Sequence, residues 1–174
     1  MSEDRYEEIH SLFQLEATNL YNYVSHMCPP WMDAQDVVQD VFIKAFRYWH
    51  KFNHKSSART WLFKIARNHI KDMYRKEKRE SESLYRLQSS SRQSTSLSSS
   101  LELQEIIELL PLMQRETIFL RIIQGFSTKE TAEILKVSPM NVRVSLYRAR
   151  KLIVKLWFSD SADEGGKLHG ENLH

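Results

Sequence analysis

Residues 126–152 read FSTKETAEILKVSPMNVRVSLYRARKL and predict two short helices joined by a tight turn. Ser127, with Glu130 three residues later, forms a capping box, so the first helix should begin there. Ser138 is the N-cap of the second helix, and Pro139 occupies its first helical position. Helical spacing assigns the buried positions to Ala132, Leu135, Val142, Leu146 and Ala149.

The second of these helices has basic and aromatic side chains outside its buried stripe. They are Arg143, Tyr147, Arg148 and Lys151. A helix-turn-helix whose second helix carries arginines is typical of proteins that read the DNA major groove. The alternative is an ordinary helical hairpin with a solvated basic face.

The composition favours a mostly helical protein of one or two domains, since 174 residues include only four glycines and four prolines. The single cysteine, Cys28, excludes an internal disulfide framework and fits a reducing cytosol. No apolar run approaches the roughly 18 residues of a membrane span, and the acidic N-terminus is unlike a signal peptide. We therefore expect a cytoplasmic protein that is not a membrane protein.

The charges are segregated along the chain. Residues 1–43 have a net charge of −7, residues 44–79 of +10, residues 101–135 of −3 and residues 136–157 of +6. Two separate basic blocks predict two contacts with a polyanion, each favoured by counterion release. The acidic blocks would be repelled by that polyanion and are available to another partner.

A serine-rich stretch divides the chain. Residues 81–100 contain ten serines, too polar a composition to offset the entropy of ordering, so we expect a flexible linker. The predicted organisation is an N-terminal domain over 1–78, a linker over 79–100, a C-terminal domain over 101–158 and a disordered tail over 159–174. Both domains should be small and helical, which makes the fold class all-α.

Three helices are predicted in the N-terminal domain. The first covers about 9–27 and buries Ile9, Leu12, Phe13, Leu20, Tyr23 and Val24. The second is capped by Asp33 and buries Val37, Val38, Val41, Phe42, Ala45, Phe46 and Trp49. The third covers about 60–78 and buries Trp61, Leu62, Ile65, Ala66, Ile70 and Met73.

The third helix should also have a basic face, formed by Lys64, Arg67, Asn68, Lys71 and Arg75. Phe52, Trp61 and Tyr74 are interleaved with it. Aromatic rings beside cations suit single-stranded or melted nucleic acid, in which bases stack on rings and the backbone meets positive charge. Core packing is the alternative for Trp61 and Tyr74.

Two pairs of residues could imitate a metal or acid–base site, Asp36 with Asp40 and His50 with His54. However, no third ligand follows at suitable spacing, no glycine-rich phosphate loop is present, and Cys28 has no partner motif. We expect no catalytic residue, no metal and no cofactor.

Three blocks of the sequence, in this order, resemble a known family. They are DAQDVVQDVFIKAF, SARTWLFKIARNHIKDMYRK and LPLMQRETIFLRIIQGFSTKETAEILKVSPMNVRVSLYRARKLI. Together they resemble the sigma2 and sigma4 domains of a bacterial RNA polymerase sigma factor of the extracytoplasmic-function (ECF) type, over about residues 6–157. The implied function is promoter-specific initiation of transcription.

The resemblance implies a partner for each surface. Asp36, Gln39, Asp40 and Lys44 would bind core polymerase by contacting a coiled coil of its largest subunit. The flap of the second-largest subunit would be a further contact. Melted −10 DNA would meet Phe52, Asn53, His54, Lys55, Trp61, Lys64, Arg67, Asn68, Lys71 and Arg75, with a flipped base in the loop over 50–57. The −35 element would meet Ser127, Thr128, Asn141, Arg143, Val144, Tyr147, Arg148 and Lys151. An anti-sigma factor would cover the polymerase-binding surfaces.

Departures from the family pattern concern the −35 element. Met140 and Asn141 stand where relatives usually have Gly-Thr, and Ser145 stands where an arginine is frequent. Val144 replaces a common serine and could contact a thymine methyl group. The −35 sequence therefore cannot be inferred from relatives.

One non-enzymatic alternative remains, a stand-alone helix-turn-helix repressor or activator with an N-terminal dimerisation domain. That protein would bind a symmetric operator without polymerase. The sigma interpretation explains better why a basic-aromatic face lies beside an acidic one.

Overall fold

The computed structural model describes residues 2–29, 31–85 and 103–164, with side chains for 6–29, 31–80, 103 and 105–158. Over these ranges the chain is α-helical, which confirms the predicted all-α class. The helices are α1 (Ser2–Met27), α2 (Ala34–Tyr48), α3 (Ala58–Tyr85), α4 (Leu103–Glu108), α5 (Leu112–Ile118), α6 (Thr128–Leu135) and α7 (Pro139–Glu164). A 3₁₀ turn (Trp49–Lys51) follows α2, and a π-helical segment (Phe119–Ile123) follows α5.

The N-terminal domain is a bundle in which α1 packs on α2 and α3, and α2 packs on α3. Asp33 caps α2 as predicted, because its Oδ1 accepts from the amides of Gln35 at 2.7 Å and Asp36 at 3.2 Å. These bonds satisfy backbone donors that have no partner within the helix.

The C-terminal domain contains the predicted helix-turn-helix, formed by α6 and α7. The Glu130 amide donates to Ser127 Oγ at 3.2 Å, and the Ser127 amide donates to Glu130 Oε2 at 2.9 Å, so the capping box is complete. Hydrogen bonds that the Glu130 carboxylate accepts from the side chain and the amide of Ser127 hold its pKa below the usual value. Lys136, in the left-handed conformation at φ 52°, ends α6, and Ser138 Oγ accepts from the Asn141 amide at 3.2 Å.

The π-helical segment lies between α5 and α6 of the C-terminal domain. The Gln124 amide donates to the carbonyl of Phe119 at 2.8 Å, and the Phe126 amide donates to that of Leu120 at 3.0 Å. Gly125, at φ 72°, makes the reversal that glycine adopts without steric cost. The wider turn directs Gln124 toward the N-terminal domain.

The two domains are packed against each other, with α3 lying on α6. One continuous apolar core contains Leu20, Tyr23 and Phe63 of the N-terminal domain together with Phe119 and Phe126 of the C-terminal domain. A second, smaller cluster around Leu110, Ile118 and Ala149 joins α5 to α7. The sequence did not predict that the domains would share a core.

Two helices are longer than predicted. Helix α3 continues through Tyr85, past residue 78, because residues 79–85 contain no proline or glycine to end it. Helix α7 continues through Glu164, past residue 158, and the next residues in the sequence are Gly165 and Gly166. The rest of the expected linker and tail lies outside the described residues.

Most predicted core positions are buried, but two phenylalanines were wrongly placed in the core. Phe13 of α1 is 48% exposed and Phe46 of α2 is 44% exposed, because both line an open groove between these helices. Val38, Trp61, Ile65 and Met73 are half-buried. Phe63, which the sequence analysis did not assign to the core, is completely buried.

Candidate nucleic-acid and partner-binding surfaces

The first turns of α7 present a basic and aromatic face to solvent. Val142 and Ala149 are completely buried, which turns Arg143, Val144, Tyr147, Arg148 and Lys151 outward, and Tyr147 is 66% exposed. Asn141 is exposed, Thr128 is half-buried, and the Ser127 hydroxyl is engaged in the cap of α6. The helix can therefore offer guanidinium and phenol donors to a groove while its other face holds it to the domain.

Ser145 lies on the inner side of α7. It is buried, its Oγ accepts a hydrogen bond from Thr117 Oγ1 at 3.0 Å, and it donates one to the Met113 carbonyl at 3.3 Å. This position, at which an arginine is frequent in the family, therefore faces α5 and not the exposed side of α7. Ser145 is therefore not available to a ligand of the exposed face of α7.

The loop after α2 builds an aromatic cluster. Phe52 lies 5.1 Å from Trp49, 5.3 Å from Trp61 and 4.4 Å from His54, measured between ring centroids. The Lys55 amide donates to Asn53 Oδ1 at 3.2 Å, and His54 is in the left-handed conformation at φ 55°. The structure therefore brings Phe52, His54 and Trp61 together, as a base-stacking site requires.

An open cavity of about 820 Å³ lies between this loop and α1. Trp49, Phe52 and His54 form one wall, and Glu8 and Leu12 of α1 form another. Glu8 Oε2 accepts a hydrogen bond from Trp49 Nε1 at 2.7 Å. The cavity has room for a planar ring against an aromatic wall, with a carboxylate nearby that can accept from an amine.

The basic face of α3 is divided between contact with the C-terminal domain and exposure to solvent. Lys64 Nζ lies 3.0 Å from Glu133 Oε1, and Arg67 Nε lies 2.9 Å from Glu116 Oε1. Asn68 and Lys71 are half-buried. Arg75 is exposed, and its Nη1 lies 3.5 Å from Asp72 Oδ1. Lys64 and Arg67 thus face carboxylates of their own chain instead of open solvent.

The predicted polymerase-binding residues lie along α2. Asp36, Gln39 and Asp40 are exposed, whereas Lys44 is half-buried and contacts His69 Nδ1 of α3. His69 Nε2 lies 3.2 Å from Asp40 Oδ2. His69 therefore ties two of the four predicted residues to α3.

Next to these residues, an apolar groove runs between α1 and α2. Its walls include Phe13, Tyr21, Phe42, Ile43 and Phe46, with Gln39 among the lining residues. Three of these rings are more than 40% exposed, which is unusual for large apolar side chains that serve only the fold. Such a groove fits the apolar face of a helix from a partner.

Burial lowers the pKa of His69, and the nearby Lys44 charge lowers it further, against the opposing effect of Asp40 and then Asp72. His69 is thus more easily protonated in the unfolded chain. The usual pKa of histidine is about 6.5. We expect the contribution of His69 to the free energy of unfolding to be complete above that pH and to be lost as the pH falls below it.

Urea unfolding of the wild type and His69→Gln, at several pH values between about 5 and 8, measures this contribution. The free energy of unfolding of the variant should depend less on pH across this window. Equal pH dependence in the two proteins would show that His69 titrates the same way in the folded and unfolded states.

Several residues with large roles in this arrangement were not singled out from the sequence. Arg59 Nε lies 2.9 Å from Glu16 Oε2, and its other nitrogens donate to the carbonyl and side chain of Gln124. Phe63 and Arg67 follow Arg59 at steps of four along α3, a spacing that marks one face. Nothing in the sequence indicated that Glu116, 49 positions from Arg67, would meet that face.

Within the described ranges, no group of three or more acidic, histidine or cysteine residues is placed to hold a metal ion. No helix in the same part of the chain is long and apolar enough to cross a membrane.

Two family models match the chain, one for each domain. Sigma-70 region 2 matches residues 12–80, and Sigma-70, region 4 matches residues 100–153. The first match covers α2, the aromatic loop and most of α3, and the second covers the helix-turn-helix.

Two curated relatives match over most of the chain. The chain is 28% identical to the ECF RNA polymerase sigma factor SigM of Bacillus subtilis, over 90% of this chain and 99% of that protein. It is 34% identical to the ECF RNA polymerase sigma-E factor of Escherichia coli, over 71% of this chain and 73% of that protein. Among solved structures, the sigma factor RpoE of Bartonella quintana, crystallised with the anti-sigma factor NepR, matches with a TM-score of 0.74 and 25% identity, over 88% of this chain and 99% of that one.

Proposed function

Because this chain belongs to the ECF family of bacterial RNA polymerase sigma factors, we propose that its own surfaces bind core RNA polymerase and direct it to promoters with −10 and −35 elements. The observation that carries the proposal is the separation of two surfaces of different chemical character. The aromatic loop with α3 suits unpaired bases, and the exposed face of α7 suits a duplex groove. The protein directs the chemistry of the polymerase in the bacterial cytoplasm and is not itself an enzyme.

The polymerase-binding surface combines the apolar groove with the polar residues of α2. Phe13, Phe42 and Phe46 supply apolar area, and Asp36 with Asp40 supplies charge at its border. A helix of the coiled coil of the largest subunit fits such a groove because it presents an apolar stripe flanked by polar residues. The flap of the second-largest subunit would contact the C-terminal domain.

For the −10 element, the cavity beside Phe52 is the site that would take a flipped base. Flipping costs a few kcal/mol of lost stacking, and a pocket with an aromatic wall offsets part of that cost. His54 lines this cavity, and its loop neighbours Asn53 and Lys55 are exposed. Lys71 and Arg75, further along α3, would follow the strand.

For the −35 element, the exposed residues of α7 are the candidates for base contacts. A bidentate arginine–guanine contact contributes about 1–3 kcal/mol of discrimination, so Arg143 and Arg148 should dominate specificity. Val144, 38% exposed between them, is placed for contact with a thymine methyl group. A Val144→Ser variant with unchanged preference across a library of −35 sequences would exclude that contact.

We also propose an anti-sigma factor as a partner, since the RpoE structure that resembles this chain was solved with NepR. A factor that filled the groove between α1 and α2 would compete with polymerase for the same apolar surface.

The test is transcription from fragmented genomic DNA by bacterial core RNA polymerase with this protein, with mapping of the 5′ ends. New start sites that share two upstream motifs at fixed spacing would support the proposal. If no new start sites appear, and the folded protein binds symmetric duplex sites without polymerase, the chain is instead a stand-alone helix-turn-helix repressor or activator.

In the same assay, Phe52→Ala should reduce initiation on duplex promoters about 5- to 150-fold, which corresponds to the loss of one stacked base at roughly 1–3 kcal/mol. Phe158→Ala removes another ring, one 67% exposed near the far end of α7, and should leave initiation unchanged. Equal activities of the two variants would exclude Phe52 from base recognition.

A further inference from the structure

The exposed side of α7 has an apolar stripe that continues past the candidate −35 residues. Its members recur at alternating steps of four and three residues, and one of them is a lysine. They are Met140, Val144, Tyr147, Lys151, Val154 and Phe158. The five apolar members are between 38% and 67% exposed. Steps of four and three are the spacing of the a and d positions of a coiled coil, so the stripe is a heptad seam open to solvent.

A DNA groove accounts for only the first half of this seam. In a helix-turn-helix, the N-terminal residues of the second helix contact the base edges. Phe158 is 14 residues beyond Val144, which places it about 21 Å further along the helix axis. The major groove is about 12 Å wide, so a helix that enters it with its N-terminal end leaves Phe158 outside. Val154 and Phe158 are thus exposed apolar side chains that −35 recognition does not use.

Basic side chains flank the seam on both sides. Arg143 and Arg150 occupy the g positions of the heptads, and Arg148 and Lys155 occupy the e positions. All four are exposed, and residues 136–157 contain no acidic residue. A second copy of α7 would bring cation against cation in either orientation, so the seam does not suit a homodimer. It suits a helix that has glutamate or aspartate beside its own apolar seam.

We propose that the exposed face of α7, over residues 140–158, is a docking site for an acidic amphipathic helix of a protein partner. Lys151 lies within the seam, and a single lysine at an a position fixes the register of a coiled coil. The partner should therefore have an acidic residue opposite it. A lipid surface fits less well, because a membrane-bound helix needs a broad apolar face, whereas this stripe is narrow and lies between two rows of cations.

Such a partner would compete with duplex DNA. Val144 and Tyr147 belong both to the seam and to the candidate −35 residues, and the partner's carboxylates would engage Arg143 and Arg148. This consequence rests on the proposed function, whereas docking itself does not. The groove between α1 and α2 belongs to the other domain, so the partner would control −35 recognition without contact with that groove.

A synthetic helix tests the docking site. The probe is a peptide of about three heptads with isoleucine and leucine in its seam, glutamate on both flanks and one glutamate within the seam. The control peptide has lysine in place of each flanking glutamate. Isothermal titration calorimetry measures the affinity of each peptide for the full chain.

Two double variants are titrated beside the wild type. Val154→Gln with Phe158→Gln removes the far half of the seam and none of the candidate −35 residues, and glutamine preserves helix propensity. Leu112→Gln with Ile122→Gln is the matched control, since it removes two exposed apolar side chains elsewhere in the C-terminal domain.

The wild type and the matched control should bind the acidic peptide with equal affinity. The Val154 and Phe158 double variant should bind it roughly tenfold more weakly, because two large apolar side chains no longer leave water. The basic peptide should bind to none of the three proteins. Equal affinities of all three for the acidic peptide would overturn the docking site, as would a wild type that binds phosphatidylglycerol vesicles and not the peptide.

Competition is measured with a labelled duplex that carries the upstream motif of a mapped start site. By fluorescence anisotropy, the acidic peptide should release this duplex from the wild type at concentrations that leave it bound to the Val154 and Phe158 double variant. A peptide that docks without releasing the duplex would contradict the −35 assignment alone. If no start site is found, the proposed function fails, and the peptide titration still decides the docking site.

Discussion

Replacement of Phe63 by alanine should lower the free energy of unfolding by about 3–5 kcal/mol. The ring is completely buried and touches both halves of the molecule, with centroids 5.4 Å from Tyr23 and 4.9 Å from Phe126. Its removal eliminates the transfer free energy of a phenyl group and leaves a cavity between helices that cannot move closer without breaking other contacts. Urea unfolding followed by far-ultraviolet circular dichroism measures the loss.

Phe13→Ala is the matched control for that experiment. Its ring is 48% exposed in the groove between α1 and α2, so the same substitution should cost about 1 kcal/mol or less. Similar losses for the two variants would mean that Phe63 is not part of a close-packed interdomain core. Because Phe63 bridges the domains, its variant should also widen the unfolding transition as the halves lose their coupling.

Glu116→Leu should cost about 3–5 kcal/mol, because it leaves the Arg67 guanidinium buried without its counter-charge. The volume of the side chain is nearly conserved, so the loss reports electrostatics more than packing. Separation of the domains would hydrate Arg67, but it would also expose Phe63 and Phe126 to water, so the penalty remains. The measurement is denaturant unfolding at neutral pH.

Two further variants complete this experiment. Glu133→Gln breaks an ion pair that is about one third exposed and should cost at most about 1 kcal/mol. The double variant Arg67→Met with Glu116→Leu replaces the buried pair by apolar groups and should recover most of the stability. If the double variant is as unstable as Glu116→Leu alone, the attraction between Arg67 and Glu116 exceeds the cost of removing the two charges from water.

These experiments concern features that local sequence signals could not reveal. The N-cap at Asp33 and the capping box at Ser127 were predictable because each involves residues within three positions of each other. The buried face of α7 was equally predictable, since Val142, Leu146 and Ala149 recur at helical spacing. The exposed set of Arg143, Tyr147 and Arg148 follows from the same periodicity.

Periodicity was less informative at the edges of a face. It places Phe13 and Phe46 with the core residues of their helices, but it carries no information on how far α1 and α2 separate. For the same reason the sequence did not show that Ser145 is buried, with its hydroxyl accepting a hydrogen bond from Thr117 of α5. In each case the neighbour that settles the environment belongs to another helix.

The sequence by itself determined the helices, the two domains, the basic character of α3 and α7, and the family to which the chain belongs. Each of these depends on spacing, capping or motif, that is, on residues close together in the chain. Only the tertiary structure decided that Arg67 meets Glu116 and that Phe63 meets Phe126, and so that part of the basic face of α3 lies against the C-terminal domain. The physical reason is that a charge pattern shows what a helix can bind, whereas the partner that occupies it is set by packing between residues 49 or more positions apart in the chain.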